Sequence, residues 1–378
     1  MRKKRVLFVY HYIASYREAV FLELLDDDEI STFITSDITA NNDIQLISLS
    51  SDILCKKHYH LKNKWIANKF LWQKGLLSLI IKGNFDKIIF LGDPHFITTW
   101  LSIFVNKLAG KESYIWTHGF LNRSGKLLDT IKMFMYKLSD GLLLYGNGAK
   151  QDLINAGLQS KKIHVIYNSL DYANQKTLRN SIIDSDVEKI KQNLFTNPNL
   201  LQLMFVGRLT KQKKLDMLIN ALGILYKRGH KINLLLIGDG SEKSNLMQLV
   251  TEHELNDYVN FYGKSYNENE LAPLICSSDI CVAPGEIGLT AMHSLGYGTP
   301  VITHNNRNKQ MPEFEAVIQS KTGMLFEEAS IESLMDTIIS LQSLNLTEVR
   351  VNCIDIIEQY YTPQAQVENI KKAIGIYR

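Results

Sequence analysis

The stretch SDICVAPGEIGLTAMHSLGYGTPVITHNN, residues 278–306, decides the fold. An apolar strand over Ile280 to Ala283 is followed by a Pro-Gly-Glu turn, a helix that opens near Gly288, and a second apolar strand after Gly-Thr-Pro. A strand that ends in a tight turn at a helix N-terminus aims backbone N–H groups and the positive end of the helix dipole at one point. This pattern predicts a site for a phosphate.

A second segment, LMFVGRLTKQKK at residues 203–214, adds two cations, because Arg208 and Lys213 follow another apolar strand. The guanidinium is a planar fork that matches phosphate oxygens, and the ammonium is a mobile point charge. Fixed cations stabilise negative charge as it develops on a leaving group. Two cations and a helix N-terminus in one crevice therefore predict a diphosphate leaving group.

Length and composition predict a soluble protein of about two domains. The 378 residues are 45% hydrophobic and 21% charged, and the four cysteines form no CxxC pair. Such cysteines fit free thiols in a reducing cytosol better than disulfides or a zinc site. The first apolar run is too short for a signal peptide, and no apolar run is long enough to span a bilayer. We therefore expect a cytoplasmic protein.

Strands and helix-length segments alternate along the chain, which predicts two doubly wound, Rossmann-like α/β domains with parallel sheets. The predicted strands lie in RVLFVY, FDKIIFL, ESYIWTH, GLLLYG and KIHVIYN, and then in LQLMFVG, INLLLIGDG, YVNFYGK, DICVAP, PVITH and TGMLF. The polar stretch at 171–199 is predicted to be a linker. Ligands bind beyond the carboxyl ends of such strands, so we expect a site in a cleft between the two facing domains.

The charge distribution is uneven. Residues 1–170 carry 22 Lys and Arg against 15 Asp and Glu, net +7, and the remainder is net −4. Much of the excess lies in KKHYHLKNKWIANKFLWQK, residues 56–74, where aromatics alternate with lysines. This segment is either a surface that rests on anionic lipid headgroups or a solvated helix face whose aromatics point into the core. Nucleic acid is not an expected partner, because no nucleic-acid motif accompanies the charge.

Several segments together resemble the family-4 retaining glycosyltransferases of the GT-B fold. They are FVGRLTKQKKLDMLINAL, LLLIGDGSEKSNL, VNFYGK, SDICVAPGEIGLTAMHSLGYGTPVIT and TGMLF, in the order and spacing of that family's C-terminal domain. The first half is similar more loosely, through VLFVYHYIASYREAVFLELL, IWTHGF and VIYNSLD. The resemblance implies transfer of a sugar from a nucleotide diphosphate sugar, with retention at the anomeric carbon and without an obligatory metal or cofactor.

The resemblance also assigns the domains. Residues 1–171 would form an N-terminal acceptor-binding domain, and residues 172–361 would contain the linker and a nucleotide-sugar-binding domain. A final helix within 362–378 would pack back on the first domain.

The resemblance carries over to individual residues. Arg208 and Lys213 match the cations that hold the diphosphate, and His118 matches a histidine that faces the donor sugar and supports the reacting centre. Further donor-binding positions are Gly207, Gly238, Gly263, Lys264, Ile287, Gly288, Leu289, Thr290 and His293. For Gly238 a structural turn is at least as good an explanation, and Lys264 could equally be solvated.

One departure from the family concerns its pair of glutamates. The first glutamate position holds Gly285 and the second holds His293, while Glu286 stands one place late. We expect Glu286 to take the first glutamate's catalytic role through a shifted turn, or else to cap the helix. We expect His293 to contact the ligand, with a buried helix histidine as the alternative. The departure leaves the nucleotide preference open.

On the acceptor side, four residues follow predicted strands of the first domain. Tyr16 and Arg17 stand where the family has a glycine-rich loop, and we expect them to line the mouth of the site. Asp93 and His95, in LGDPHF, either contact the acceptor or only shape the loop around Pro94.

Two short motifs are decoys for a metal site. Asp26-Asp27-Asp28 and Asp184-Ser185-Asp186 resemble the Asp-x-Asp pair that binds a divalent ion in the other large glycosyltransferase fold. The first follows a helix-like run and the second lies in the predicted linker, so both are interpreted as solvated turns. We predict no metal site.

These observations predict a hexosyltransferase-type retaining glycosyltransferase that uses a nucleotide sugar and a lipid-linked or polysaccharide acceptor in surface glycan synthesis. The predicted location is the cytoplasm, with an anionic membrane surface as a further partner. A catalytically silent GT-B carbohydrate-binding or partner subunit is the alternative, because the glutamates are altered. A sugar-nucleotide epimerase on the same frame fits the family-4 segments less well.

Overall fold

The chain forms two compact units in a computed structural model that describes residues 2–39, 45–47, 57–120, 125–341 and 344–376. One unit comprises Met1–Asp171 together with Thr362–Arg378, and the other comprises Tyr172–Tyr361. Each unit is built around its own parallel sheet.

The first unit contains a seven-stranded parallel sheet in the order β3-β2-β1-β6-β7-β8-β9 and a separate antiparallel hairpin, β4-β5. The strands are β1 (Lys4–Val9), β2 (Ile30–Ser36), β3 (His58–His60), β4 (Asn63–Ile66), β5 (Phe70–Gln73), β6 (Lys87–Leu91), β7 (Glu112–Thr117), β8 (Gly141–Leu144) and β9 (Ile163–Val165). The helices up to this point are α1 (Glu18–Asp26), α2 (Leu76–Lys82), α3 (Ile97–Leu108), α4 (Lys126–Leu138) and α5 (Asn147–Asn155).

Both faces of this sheet are buried at its centre, which explains why β1, β6 and β8 are largely apolar runs. Along β1, Val6 and Phe8 point to one core, while Leu7 and Val9 point to the other. This alternation is the two-residue period of a strand, applied to a sheet covered on both sides.

The structure corrects the helical interpretation of residues 56–74. The described part of this segment contains β3 and the β4-β5 hairpin, in which Trp65 lies opposite Leu71 and Ile66 lies opposite Phe70. Leu71 is fully buried, whereas Trp65, Ile66 and Phe70 are exposed. The chain turns at Ala67-Asn68, where both residues have a positive φ, so short-range turn geometry overrides the helix-like spacing.

The second unit contains a six-stranded parallel sheet in the order β12-β11-β10-β13-β14-β15. The strands are β10 (Gln202–Val206), β11 (Asn233–Ile237), β12 (Val259–Gly263), β13 (Ile280–Ala283), β14 (Val301–His304) and β15 (Gly323–Phe326). The helices are α6 (Tyr172–Ser181), α7 (Asp184–Leu194), α8 (Leu215–Lys227), α9 (Lys243–Glu252), α10 (Glu268–Cys276), α11 (Leu289–Gly296), α12 (Ile331–Ser340) and α13 (Leu346–Tyr360).

The prediction that residues 171–199 form a linker is wrong, because most of this segment is helical. The segment forms α6 and α7, and both helices pack on α10 within the second unit. Their polarity follows from exposure on one side, since of all their residues only Tyr172 and Gln175 are buried. A helix with such a narrow buried stripe resembles a linker in composition.

The predicted fold class is confirmed, because both sheets are parallel and every strand predicted from the sequence is present. The sequence analysis missed β2, β3 and the hairpin. No helix in the described part of the chain has the length and apolar character needed to cross a bilayer.

The last helix, α14 (Pro363–Ala373), belongs to the first unit. It lies against α1, and Val367, Ile370 and Ile374 fill the core beside β1 and β7. Lys371 on this helix is 5% exposed. Its Nζ forms three ion pairs, at 3.0 Å from Asp27 Oδ2, 2.6 Å from Glu29 Oε2 and 2.8 Å from Glu368 Oε1.

We expect Lys371→Met to lower the free energy of unfolding by about 2 kcal/mol, because it leaves Asp27 and Glu29 without their buried cation. The cost stays below that of a fully buried pair since the carboxylates retain some solvent. Chemical denaturation measures the change. The exposed neighbour Lys372→Met is the matched control, and equal loss in both variants would contradict the structural role of the buried ammonium.

Candidate functional site

In the second unit, the carboxyl ends of β10 and β11 approach each other so closely that side chains are excluded. A Cβ on Gly238, which has a φ of +152°, would lie 1.9 Å from the carbonyl oxygen of Gly207. Gly207 itself has a φ of +147°, and its amide donates a hydrogen bond to the carbonyl oxygen of Ile237. Backbone packing therefore accounts for both glycines, which favours the structural-turn interpretation of Gly238.

The loop that carries Lys213 is docked on the turn after β13. The amides of Gly285 and Glu286 donate to the carbonyls of Lys213 and Gln212, at 3.0 and 3.3 Å. In return, Lys213 Nζ donates to the carbonyl of Glu286 at 2.9 Å. The two segments that the sequence analysis singled out are thus joined side by side.

This docking explains why residue 285 is a glycine. A Cβ there would lie 2.0 Å from the carbonyl oxygen of Gln212. Any side chain at position 285 would push the Lys213 loop away, so the close backbone contact requires a glycine there.

Some hydrogen-bond donors at the N-terminus of α11 already have acceptors within the protein. The amide of Ile287 donates to Gln310 Oε1 at 2.7 Å, and the hydroxyl of Thr290 donates to the carbonyl of Val206 at 2.9 Å. Within the described residues, the amides of Gly288, Leu289 and Thr290 have no acceptor, as expected for the first turn of a helix. The predicted phosphate-binding role of the Ile287 amide is therefore corrected, since Gln310 already accepts from it.

Arg208 follows β10 and is exposed. At the far edge of the sheet, Gly263 ends β12 with a φ of +98°, and the exposed Lys264 places its ammonium 4.8 Å from the ring centre of Tyr266. The structure does not bring Lys264 into contact with the Lys213 loop, and its packing on Tyr266 agrees with the solvated alternative.

His293 is paired with a residue that the sequence analysis did not predict. Its Nε2 lies 3.1 Å from the carboxylate of Glu268, which also accepts from the hydroxyl of Tyr297 at 2.6 Å. Burial alone would raise the pKa of Glu268, but the hydrogen bonds from His293 and Tyr297 hold this pKa below its usual value. Glu268 begins α10 and lies 25 residues before His293 in the sequence, so no short-range sequence pattern predicts the pair.

In the first unit, His118 follows β7, and the imidazole ring centre lies 4.4 Å from that of Tyr145. Its Nδ1 is buried and has no hydrogen-bond partner among the described residues. Burial lowers the pKa of His118 to about 4, and the positive charges of Arg17 and Lys132 act in the same direction. The imidazole is therefore neutral near pH 7.

Arg17 is buried and does not line the mouth of the site, so its predicted position is wrong. It is 8% exposed, donates to Tyr145 Oη and to Asn168 Oδ1, and lies 5.1 Å from the ring centre of Trp116. Aromatic rings surround its guanidinium group, and its hydrogen bond to Tyr145 holds that ring beside His118. Tyr16 is 44% exposed, as an accessible contact requires.

Asp93 and His95 interact chiefly with each other. Asp93 Oδ1 accepts from the amide of His95 at 2.9 Å and lies 2.8 Å from its Nδ1. This agrees with the loop-shaping alternative for both residues. His11, which the sequence analysis did not assign, lies at the same edge; burial lowers its pKa to about 4, while Asp93 opposes the shift. The rule that residues following parallel strands line one edge could have found His11 and Tyr145.

No group of three or more His, Cys, Asp or Glu side chains within the described ranges is arranged to hold a metal ion. Cys276, Cys281 and Cys353 carry free thiols. Cys55 lies outside the described residues.

Residues 186–360 match the family model described as glycosyl transferases group 1. The match covers a little under half of the chain and lies within the second unit. A relative from Klebsiella pneumoniae, an uncharacterized 41.2 kDa protein in the cps region, is 27% identical over 338 residues, which is 80% of this chain and 85% of that protein. Glycogen synthase from Francisella tularensis is 30% identical over 137 residues, which is 34% of this chain and only 27% of that enzyme.

Solved structures share the fold of the whole chain. Anabaena Alr3699/HepE in complex with UDP superposes with a TM-score of 0.72 at 16% identity, covering 99% of this chain and 100% of that chain. The lipopolysaccharide outer core galactosyltransferase WaaB, in its apo form, has a TM-score of 0.71 at 16% identity, with 98% and 99% covered. The group 1 domain and the GT-B fold together support a GT-B glycosyltransferase.

We expect Gly285→Ala to lower the free energy of unfolding by about 1–3 kcal/mol, because the new Cβ overlaps the carbonyl of Gln212. Gly288→Ala is the matched control, since a Cβ there lies 3.6 Å from Met311, an ordinary contact. Denaturant titration of both variants measures the difference. If Gly285→Ala were as stable as Gly288→Ala, the docking of the two loops would be disproved.

The low pKa of His118 predicts a pH-dependent stability. Between pH 6.5 and about 4 the unfolded histidine binds a proton that the folded one does not, so stability is full above pH 6.5 and declines as the pH falls. His118→Asn should make this decline shallower, whereas the exposed His230→Asn should leave it unchanged. Unfolding free energies measured at pH 7 and pH 5 give both slopes, and identical slopes in all three proteins would contradict the assignment.

Proposed function

We propose that the protein is a retaining, hexosyltransferase-type glycosyltransferase that moves a sugar from a nucleotide diphosphate sugar to a lipid-linked or polysaccharide acceptor. One observation carries the proposal: Lys213 is fastened to the turn after β13, directly before a helix whose first amides have no described acceptor. An ammonium and a helix N-terminus on adjoining segments favour a dianionic leaving group.

The bond that breaks joins the anomeric carbon to the diphosphate oxygen, and the electron pair leaves with the diphosphate. We assign Lys213, Arg208 and the amides of Gly288 to Thr290 to the stabilisation of that charge. The acceptor oxygen forms the new bond to the same carbon, and its proton passes to the departing phosphate. The charge balances without a metal ion, so we propose a metal-independent reaction.

We assign His118 to positioning of the donor sugar. A neutral imidazole can accept or donate a single hydrogen bond to a sugar hydroxyl, and its low pKa keeps a second positive charge away from an oxocarbenium-like centre. We assign Glu286 to the same sugar, because its backbone is fixed by the Lys213 loop while its residue type matches the displaced glutamate of the family.

The relatives support the choice of donor and product. Alr3699/HepE has been crystallised with UDP and with UDP-glucose, which supports a uridine diphosphate sugar as the donor. The cps-region relative and the lipopolysaccharide galactosyltransferase support an acceptor in surface glycan synthesis. We propose that the protein works in the cytoplasm, at the inner face of the membrane that holds such an acceptor.

A silent carbohydrate-binding or partner subunit is the second candidate, and the replacement of the family's glutamates by Gly285 and His293 favours it. Calorimetric binding of UDP together with slow release of UDP from a UDP-sugar would establish the enzyme. Binding of the donor without any release over hours would establish the silent subunit.

We expect Arg208→Ala and Lys213→Ala each to reduce turnover about 10²-fold, since each removes a cation that stabilises the leaving diphosphate. Lys227→Ala, an exposed lysine at the end of α8, is the control and should keep full turnover. UDP release from a UDP-sugar measures turnover, and circular dichroism checks the fold. Unchanged turnover in both folded variants would refute the assignment of the two cations.

A further inference from the structure

Three neighbouring helices, α2, α3 and α4, cover one face of the first unit's sheet. Their inner sides are buried against the strands through Leu76, Ile80, Ile103, Met135 and Tyr136. A helix that covers a sheet normally turns a polar side to solvent. These three do not.

Large apolar side chains also project outward from the three helices. We call the following set the outer apolar face: Ile81, Leu101, Phe104, Leu108, Leu127, Ile131 and Phe134, which are between 39% and 76% exposed. The members on α3 and on α4 each recur at helical spacing, so each forms a stripe. Trp100 stacks on Phe134 with ring centres 5.9 Å apart, which joins the two stripes.

The charges on these helices have one sign. The three helices contain five lysines and a single carboxylate, that of Asp129, which is half-buried. The exposed lysines are Lys82, Lys107, Lys126 and Lys137. None of these four forms an ion pair with another residue in the described ranges. The outer apolar face is therefore surrounded by uncompensated positive charge.

The combination of exposed apolar side chains and lysines that form no described ion pair indicates what kind of partner this face binds. A second copy of the chain would bring lysines against lysines, which disfavours self-association through this face. A bilayer with anionic headgroups offers both an apolar interior for leucine and phenylalanine and negative charge for the lysine ammonium groups. Helices that lie in a membrane interface share this composition of large apolar residues beside lysines.

We propose that the outer apolar face lies on an anionic lipid bilayer, with its apolar side chains below the headgroups and its lysines among them. The inference deepens the proposed function, because a lipid-linked acceptor would be presented at that surface. It assigns docking to α2, α3 and α4 and not to the β4-β5 hairpin, whose lysine-rich sequence first suggested a lipid contact.

The test is flotation of the full chain with vesicles of phosphatidylcholine alone or mixed with phosphatidylglycerol. We expect binding only to the anionic vesicles, and weaker binding at high salt. Phe104→Asp combined with Leu127→Asp should abolish flotation, whereas Lys107→Ala and Lys137→Ala should each weaken binding about fivefold. Val351→Asp, at an exposed position of α13, is the matched control and should float like the wild type.

Flotation of the aspartate double variant like the wild type, or failure of the wild type to float, would overturn the proposal. Loss of flotation in an Ile66→Asp, Phe70→Asp hairpin variant, with the helix variants unaffected, would overturn it in favour of the hairpin. A wild-type dimer that Phe104→Asp dissociates in sedimentation would overturn it in favour of self-association. UDP release without vesicles should be equal in all variants, so its complete absence would count against the proposed enzyme and not against the docking face.

Discussion

The candidate site depends on backbone segments that lie closer together than side chains allow. Gly238 abuts the carbonyl of Gly207, and Gly285 abuts the carbonyl of Gln212, so the ends of β10, β11 and β13 are held against one another without intervening side chains. Such contact leaves little freedom for the loops. The position of the Lys213 ammonium is fixed by this packing before any ligand arrives.

This constraint gives Gly285 a structural role in the turn after β13. In the structure, the glycine is what allows the cation loop to dock, and the acid stands at Glu286, the next position along the same turn. In the same unit, Glu268 from a different helix supplies a carboxylate beside His293.

Most of the fold could be predicted from the sequence, because buried parallel strands are apolar runs with clear turn signals at their ends. The motifs around Arg208 and Gly288 also predicted where β10 and β13 of the second sheet end. Other features gave no local signal. The pairing of Glu268 with His293 and the burial of Arg17 under aromatic rings depend on contacts between residues distant in sequence.

Polar segments were misjudged for a related reason. Helices α6 and α7 bury so little that their composition resembles that of a connecting segment. The hairpin at 63–73 is set by a three-residue loop, Ala67 to Lys69, which hydrophobic periodicity does not detect. Weakly buried elements are specified by tertiary packing more than by pattern.

The membership of α14 in the first unit has a consequence for biosynthesis. Val367, Ile370, Ala373 and Ile374 complete a core whose other buried members lie before residue 171. The domain that the ribosome synthesises first therefore still lacks part of its interior until the second domain has been translated. Its apolar strands stay incompletely covered throughout that interval, and the core of the first unit is completed only after α14 has been synthesised.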